Sequence, residues 1–197
     1  MREQRQTHFE TLYRADPDPW NYALSPYEQQ KFAATLAGLH RPHYASGIEV
    51  GCSIGVLSAG LQRRCDRFLG LDLSPTALQL AHRRLAHCSN VALRQVDVPH
   101  HWPRRRADLI MLSEVLYYLD AEELSALAGH VHRSLLPGGE VVIVSFRGET
   151  GTPLSGLAAS GLFIRALCRL RPFRAVVRPT NGSYLHRTLL CEAGERG

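Results

Sequence analysis

One short run constrains this chain more than any other. In Glu49-Val50-Gly51-Cys52-Ser53-Ile54-Gly55 an apolar strand must turn into a helix, and Asp72 then closes the next apolar strand. Glycines at such a turn admit positive φ and let backbone amides face a ligand without side-chain obstruction. A carboxylate closing the second strand is placed to accept hydrogen bonds from two ribose hydroxyls. Gly51 and Gly55 lack the tight Gly-x-Gly of a dinucleotide fingerprint, and Glu49 sets a carboxylate where a pyrophosphate would be repelled. A nucleotide cofactor with a positive centre and no pyrophosphate satisfies both. The plain alternative, a tight strand-to-helix turn with Asp72 capping the helix that follows Ser74 and Pro75, stays open on these residues alone.

The rest of the chain supplies the sheet such a turn needs. Apolar strands are predicted over 47–50, 67–71, 91–96, 108–112 and 140–146, with amphipathic helices over 54–64, 75–85 and 121–135. This alternation points to an α/β, Rossmann-like doubly wound parallel sheet with helices on both faces. Pro137-Gly138-Gly139 breaks the chain before the fifth strand. Beyond a Gly/Thr/Ser/Pro-rich loop over 148–156 and a short helix over 157–170, strands over 173–177 and 183–191 flank Pro179-Thr180-Asn181-Gly182. Asn-Gly is a strong hairpin signal, so the sheet should have about seven strands with the last one antiparallel. Upstream, residues 9–13 read as a short helical piece and Asp16-Pro17-Asp18-Pro19 as extended chain. Ser25 caps a helix that begins at Pro26, carries Glu28 at its third position and ends near residue 40. We read 1–197 as a single domain and 1–44 as a helical lid within it.

Composition removes several function classes. The net charge is +5, from 23 Lys and Arg against 18 Asp and Glu, a mild excess spread over scattered arginines. No recognition helix, zinc knuckle or interleaving of aromatic and basic residues supports a nucleic-acid binder. The five cysteines, Cys52, Cys65, Cys88, Cys168 and Cys191, form no C-x-x-C pair, which argues for a reducing compartment and against structural zinc. None of the ten histidines makes a metal set with acidic or cysteine partners. With no signal core and no long apolar run, we expect a cytoplasmic protein that takes a small-molecule substrate, with no membrane or nucleic-acid partner, as a monomer or weak homodimer.

Asp97, at the end of the third strand, is placed to accept from an exocyclic adenine amine while the Val96 or Val98 backbone meets the ring, or is a solvated loop aspartate. An acceptor should meet the cofactor beyond the fourth strand, where Ser113, Glu114, Tyr117 and Tyr118 stand. Glu114 has little reason to follow an apolar strand unless it serves a site: it can bind an acceptor ammonium, take its proton or read a hydroxyl. Tyr117 and Tyr118 either line that site or pack beside Leu116 and Leu119. Trp20, Tyr22 and Tyr27 can close over the sheet edge, and Lys31 can meet a carboxylate of the cofactor or be a solvated helical lysine. The expected cofactor-facing set is Glu49, Gly51, Cys52, Ser53, Gly55, Asp72, Leu73, Asp97, Val98 and Ser113, with Trp20 and Lys31; the expected catalytic set is Glu114, Tyr117 and Tyr118. Cys52 counts as a small side chain in the turn and not as a nucleophile.

Four features now stand together: an acidic residue with a Gly-x-x-x-Gly turn after the first strand, acidic residues after the second and third, and Pro-Gly-Gly before the fifth. In these the chain resembles the class I S-adenosylmethionine-dependent methyltransferases over about residues 45–149. That resemblance implies S-adenosylmethionine as the cofactor and says little of the acceptor. Four further runs lie largely outside that pattern: Phe9-Glu10-Thr11-Leu12-Tyr13, Asp16-Pro17-Asp18-Pro19-Trp20, Ser25-Pro26-Tyr27-Glu28 and Ser113-Glu114-Val115-Leu116-Tyr117-Tyr118. In them the chain resembles the nodulation protein S family, rhizobial N-methyltransferases of chitooligosaccharide amines. The similarity thins after Phe146, where Gly151-Thr152-Pro153-Leu154-Ser155-Gly156-Leu157 replaces a polar stretch of that family. The resemblance implies methyl transfer to an amine nitrogen, such as that of an amino sugar. An O- or C-methyltransferase of small molecules and a non-catalytic cofactor-binding protein are the alternatives. A dehydrogenase would need the tighter glycine fingerprint.

Overall fold

The computed structural model describes residues 2–180 and 182–192. Seven strands form one sheet: β1 (Tyr44–Val50), β2 (Cys65–Asp72), β3 (Val91–Gln95), β4 (Ala107–Ser113), β5 (Leu135–Phe146), β6 (Phe173–Val177) and β7 (Tyr184–Cys191). Their order is β3-β2-β1-β4-β5-β7-β6. The pairs among β1 to β5 are parallel, and β7 runs antiparallel to both β5 and β6. The expected α/β sheet with an antiparallel last strand is therefore the observed one. Gly182 keeps a positive φ of 91° before β7, whereas Asn181 lies outside the described residues.

Strand side chains alternate between faces, and each face has its own cover. Ile110 and Leu112 of β4 pack with Ile48 and Val50 under α5 (Ala121–Ser134) and α6 (Gly156–Leu170), through Leu124, Leu127, Val131 and Phe163. Leu109 and Met111 point the other way. They meet Leu57 and Leu61 of α3 (Val56–Leu61), with Phe32 and Leu36 of α2 (Pro26–Ala37) packed against the same cluster. The capping signals act as expected. Ser25 accepts from the Glu28 amide, Ser74 accepts from the Ala77 amide at the start of α4 (Pro75–Arg84), and Asp120 and Glu123 form a capping box on α5.

Three boundaries depart from the sequence reading. The first helix, α1 (Arg2–Ala15), is far longer than 9–13, because its first turns are polar Gln, Glu and Arg residues that favour helix without marking an apolar face. The predicted helix over 54–64 is split: α3 ends at Leu61 and a tighter turn, Gln62–Arg64, leads into β2. Pro137-Gly138-Gly139 does not delay β5. The strand pairs first at Leu135 with Ala107, then resumes at Glu140 with Leu109, and the intervening residues form a bulge in which Gly138 has φ 70°.

β1 and β4 are neighbours whose crossovers run to opposite sides, so a crevice opens beyond their carboxyl ends. Among the described residues no helix is long and apolar enough to cross a membrane. The five cysteines carry free thiols.

Candidate active site

A cleft of about 680 Å³, counted with its open mouth, occupies that crevice. Of the residues expected to face a cofactor it brings together Trp20, Gly51, Ser53, Asp72, Leu73, Asp97, Val98 and Ser113, with Glu114 and Tyr118 at its edge. Asp72 does two things. Its Oδ2 accepts from the Ser53 amide at 2.8 Å and its Oδ1 from the Ser74 amide at 2.9 Å, which ties the first turn to the start of α4. It also lines the cleft, so the capping and ligand-facing readings hold at once. Burial raises its carboxyl above the ordinary value, while the amides of Ser74 and Ser53 pull it back.

The turn itself corrects one expectation. The amides of Gly51 and Cys52 both donate to the Leu71 carbonyl, at 2.8 and 2.9 Å, and the Gly55 amide donates to the Cys52 carbonyl at 2.9 Å. These amides are committed within the protein and are not presented to a ligand. Gly51 is needed for its positive φ of 76°, which turns the chain out of β1. Gly55 serves packing: it does not line the cleft, and a Cβ there would come within 3.2 Å of the Ala81 Cβ on α4. Ser53 and Glu114 also hold positive φ, 50° and 55°, and these strained non-glycine residues both line the cleft.

Glu49 and Cys52 face a different hollow, on the other side of Gly51. Glu49 is buried and accepts from the Ser58 hydroxyl. Burial, less an offset from Ser58 and with a further rise from Asp72, pushes its carboxyl up to about 8, so it carries a proton at neutral pH. Burial likewise pushes the Cys52 thiol up, consistent with a packing role.

Helix α1 lies across the cleft, and sequence reading missed what holds it there. Arg5 forks onto Glu123, 2.9 Å to each oxygen, and reaches Asp97 Oδ1 at 3.2 Å and the Tyr118 carbonyl at 3.0 Å. Glu10 accepts from the hydroxyls of Ser74 and Thr76 at 2.7 and 2.6 Å, and Tyr13 donates to the Ser53 hydroxyl at 2.5 Å. Arg5, Phe9 and Tyr13 recur every four residues and all line the cleft. That periodicity was present in the sequence, but a lone arginine on a polar helix gives no sign of its partner. Trp20 closes the aromatic wall, with ring centroids 5.5 Å from Tyr13 and 5.6 Å from Tyr22.

A second cavity, about 670 Å³, adjoins the first and shares Trp20, Tyr22, Glu114 and Tyr118 with it. Lys31 lies here and not in the first cleft. Its ammonium is buried between two carboxylates, 2.7 Å from Glu114 Oε1 and 2.9 Å from Glu28 Oε2. Burial lowers Lys31, Glu114 and Glu28 more than offset it, and the ammonium is held charged. Glu114 Oε2 accepts from the Tyr117 hydroxyl at 3.1 Å and from the Phe146 amide at 2.7 Å. Both of its oxygens are thus engaged. Burial, with Glu114 alongside, drives the Tyr117 hydroxyl far above its ordinary range, so it stays a donor. Glu28 was not singled out in the sequence because an i, i+3 Glu–Lys pair on a helix normally reads as a solvated pair.

A mixed sheet with one antiparallel strand, a positive-φ glycine after β1, an aspartate closing β2 and a cleft at the β1/β4 crevice define the Rossmann-like methyltransferase class of fold. A family model for Nodulation protein S (NodS) matches residues 6–164, and the chain belongs to that family. It is 33% identical over 135 residues to Nodulation protein S of Rhizobium tropici, covering 68% of this chain and 57% of that protein. Nodulation protein S of Bradyrhizobium diazoefficiens is 32% identical over 67% of this chain and 64% of its own length. The matches therefore span less than two thirds of these relatives. Among solved structures, N-methyltransferase NodS from Bradyrhizobium japonicum in complex with S-adenosyl-L-homocysteine superposes with a TM-score of 0.77 at 21% identity, over 97% of this chain and 99% of that one. A Pseudomonas syringae structure is 33% identical with a TM-score of 0.72, covering 83% and 98%.

Proposed function

We propose that this chain transfers a methyl group from S-adenosylmethionine to the nitrogen of an amine acceptor. The observation that carries the reading is the pair of joined cavities. One is lined by Asp72 and Asp97 near the strand ends, the other by the carboxylates of Glu28, Glu114 and Glu149 against the single ammonium of Lys31, and aromatic side chains form their common wall. When bound, the cofactor supplies a methyl group already activated on a sulfonium.

The residues fit that group. Each Asp72 oxygen accepts one backbone amide and keeps a lone pair for a ribose hydroxyl. Asp97 and the Val98 backbone flank the adenine end, where Arg5 also reaches Asp97. Trp20, Tyr22 and Tyr118 give π faces and Glu114 a negative charge to a cationic sulfur centre. Residues 1–44 act as the cover that excludes water from the joined cavities. The similar structure of N-methyltransferase NodS supports nitrogen as the target, and an amino sugar is one form of acceptor that the family resemblance implies.

On the acceptor side, the carboxylates of Glu28, Glu114 and Glu149 outnumber the ammonium of Lys31, which favours the arrival of a cationic ammonium. Glu114 is held by Lys31, Tyr117 and Phe146, so it orients and neutralises charge, and the amine reacts after losing its proton. A hydroxyl acceptor would need a stronger base than these engaged carboxylates offer. Calorimetric titration with S-adenosylmethionine tests the cofactor half. Asp72→Ala, which removes two charge-assisted contacts to ribose, should weaken binding by about 100-fold or more. Unchanged affinity in the folded variant removes the ribose assignment. Mass detection of methylated product across simple amines, de-N-acetylated chitooligosaccharides, phenols and carboxylates tests the other half, and transfer only to oxygen overturns it.

A further inference from the structure

Beyond the carboxylate cavity the molecule opens a third space. It is a groove of about 1670 Å³ counted with its open side, bounded by α1, by the turn after β4 and by the loop between β5 and α6. It meets the carboxylate cavity at Trp20, Tyr117, Tyr118 and Thr150, which line both. The groove borders the cofactor cleft as well, at Arg5, Trp20, Tyr118 and Leu119. Along the groove the contact surface is furnished by Leu12 of α1, Leu119 after the turn, and Pro153 and Leu154 of the loop, continuing from the aromatic rings at its inner end. Leu12 and Leu154 are only half-buried and Pro153 is exposed, so this apolar strip is turned partly toward solvent.

We propose that this groove holds the non-reacting part of the acceptor, and that this part is apolar: the substrate is an amphiphilic amine, with its nitrogen in the carboxylate cavity and a hydrocarbon chain or ring system along Leu12, Leu119, Pro153 and Leu154. The proposal rests on the amine-methyltransferase reading above. It is argued from continuity and from chemistry. The charged end of an acceptor is served by Glu28 and Glu114, and the groove that shares walls with that cavity carries Leu12, Leu119, Pro153 and Leu154 beside polar residues such as Gln4, His8 and Asp120. A solvent-exposed apolar strip costs solubility and gives nothing to the fold. An apolar ligand segment laid on it gains affinity for every methylene that leaves water. Full burial of one methylene is worth about fourfold, and cover from one side about half of that free energy, or twofold.

The test uses n-alkylamines from ethyl to decyl beside glucosamine oligomers of one to four sugars. Binding is read from the fluorescence of Trp20, which lines all three cavities, in a Trp102→Phe background that removes the other tryptophan. Turnover is read in parallel by product mass. Affinity should rise by about twofold per methylene, on the order of a hundredfold across the series, and KM should fall with it. Leu154→Glu and, on the opposite wall, Leu12→Glu should each flatten the series. Titration of the cofactor into the same samples shows that each variant is folded. A flat alkylamine series, or a gain confined to the sugar oligomers, overturns the proposal while leaving methyl transfer to amines intact. Chain-length-dependent binding with no methylated product from any amine overturns the methyl-transfer reading, and with it the assignment of the occupant as an acceptor.

Discussion

The two joined cavities are built in opposite ways. The cofactor cleft is made of local chain turns: the Ser53 amide reaches Asp72 across 19 residues, and the Ser74 amide reaches it across 2. The carboxylate cavity is made of distant side chains: Lys31 meets Glu114 across 83 residues, and Glu114 meets the Phe146 amide across 32. Backbone conformation sets the first, since Gly51 must take positive φ to leave β1. Charge pairing sets the second, since a buried carboxylate is tolerable only with a partner. A turn of this kind can bind one cofactor across many enzymes, whereas side-chain pairing can be exchanged from one acceptor to another.

The largest effect that would break this comparison is expected at Lys31. Its side chain is 3% exposed and those of Glu28 and Glu114 are 11% and 10% exposed. Lys31→Met leaves two buried carboxylates facing each other with no cation. Removing one partner of a buried ion set costs about 3–5 kcal/mol. Urea unfolding near neutral pH should show a loss of that size, and it should shrink as pH falls and Glu28, whose carboxyl is raised by burial, takes up a proton. A Lys31→Met protein as stable as the parent would mean that the second cavity is not held by charge.

How much was legible follows from the same contrast. The sheet, its order of helices and the antiparallel last strand could be read from periodicity and from turn residues, because those signals lie within a few neighbours of each other. Gly51, Asp72 and Asp97 could be placed because each stands at or just past the end of a strand. The commitment of the Gly51 and Cys52 amides to Leu71 could not, because it depends on how β1 and β2 are offset. Lys31 is expected toward the cofactor, yet the structure places it in the carboxylate cavity, since one lysine in a helix does not reveal which carboxylate 83 residues away will claim it. Arg5, Glu10 and Glu28 were passed over for the same reason.

A middle-sized effect sharpens the comparison from inside the first cavity's support. Glu49 lies behind the glycine turn, with its carboxyl raised to about 8 by burial, against about 4.3 in an unfolded chain. Between those values the folded protein holds a proton that the unfolded chain has released, so the stability that this group contributes falls as pH rises and its contribution is fully lost above about 8. His186, pushed down to about 4 by burial and by Arg178 and Arg187, costs stability only below about 6.5, where the unfolded imidazole takes a proton. Between about pH 6.5 and 8 the Glu49 slope is therefore not masked by His186, and it amounts to about 2 kcal/mol across that window. Glu49→Gln should flatten the slope in denaturant unfolding measured across it. An equal slope in parent and variant would mean that Glu49 is ionised in the fold.

The smallest effect is expected where the two modes of construction meet, at Arg5. Its guanidinium is 13% exposed and ties α1 to Glu123 at the start of α5 and to Asp97 at the cofactor cleft, so a side-chain pairing across 118 residues holds the cover over a site built by local turns. Glu123 keeps its hydrogen bond from the Asp120 amide and its contact with His100 when the arginine is gone, so the fold itself loses little. Arg5→Gln should lower stability by about 1–2 kcal/mol, the worth of a part-buried charged hydrogen bond. Glu10 and Tyr13 still hold the far end of α1, which limits the loss to the first two turns. Hydrogen exchange should therefore speed up in the first half of α1 and stay unchanged in α4, and cofactor affinity should fall by about threefold to tenfold through faster release. Arg5→Lys should recover part of both, because an ammonium keeps the charge and loses the fork that spans both oxygens of Glu123. If exchange in α1 is the same in all three proteins, Arg5 does not hold the cover, and the cleft owes its closure to Glu10, Tyr13 and the aromatic wall alone.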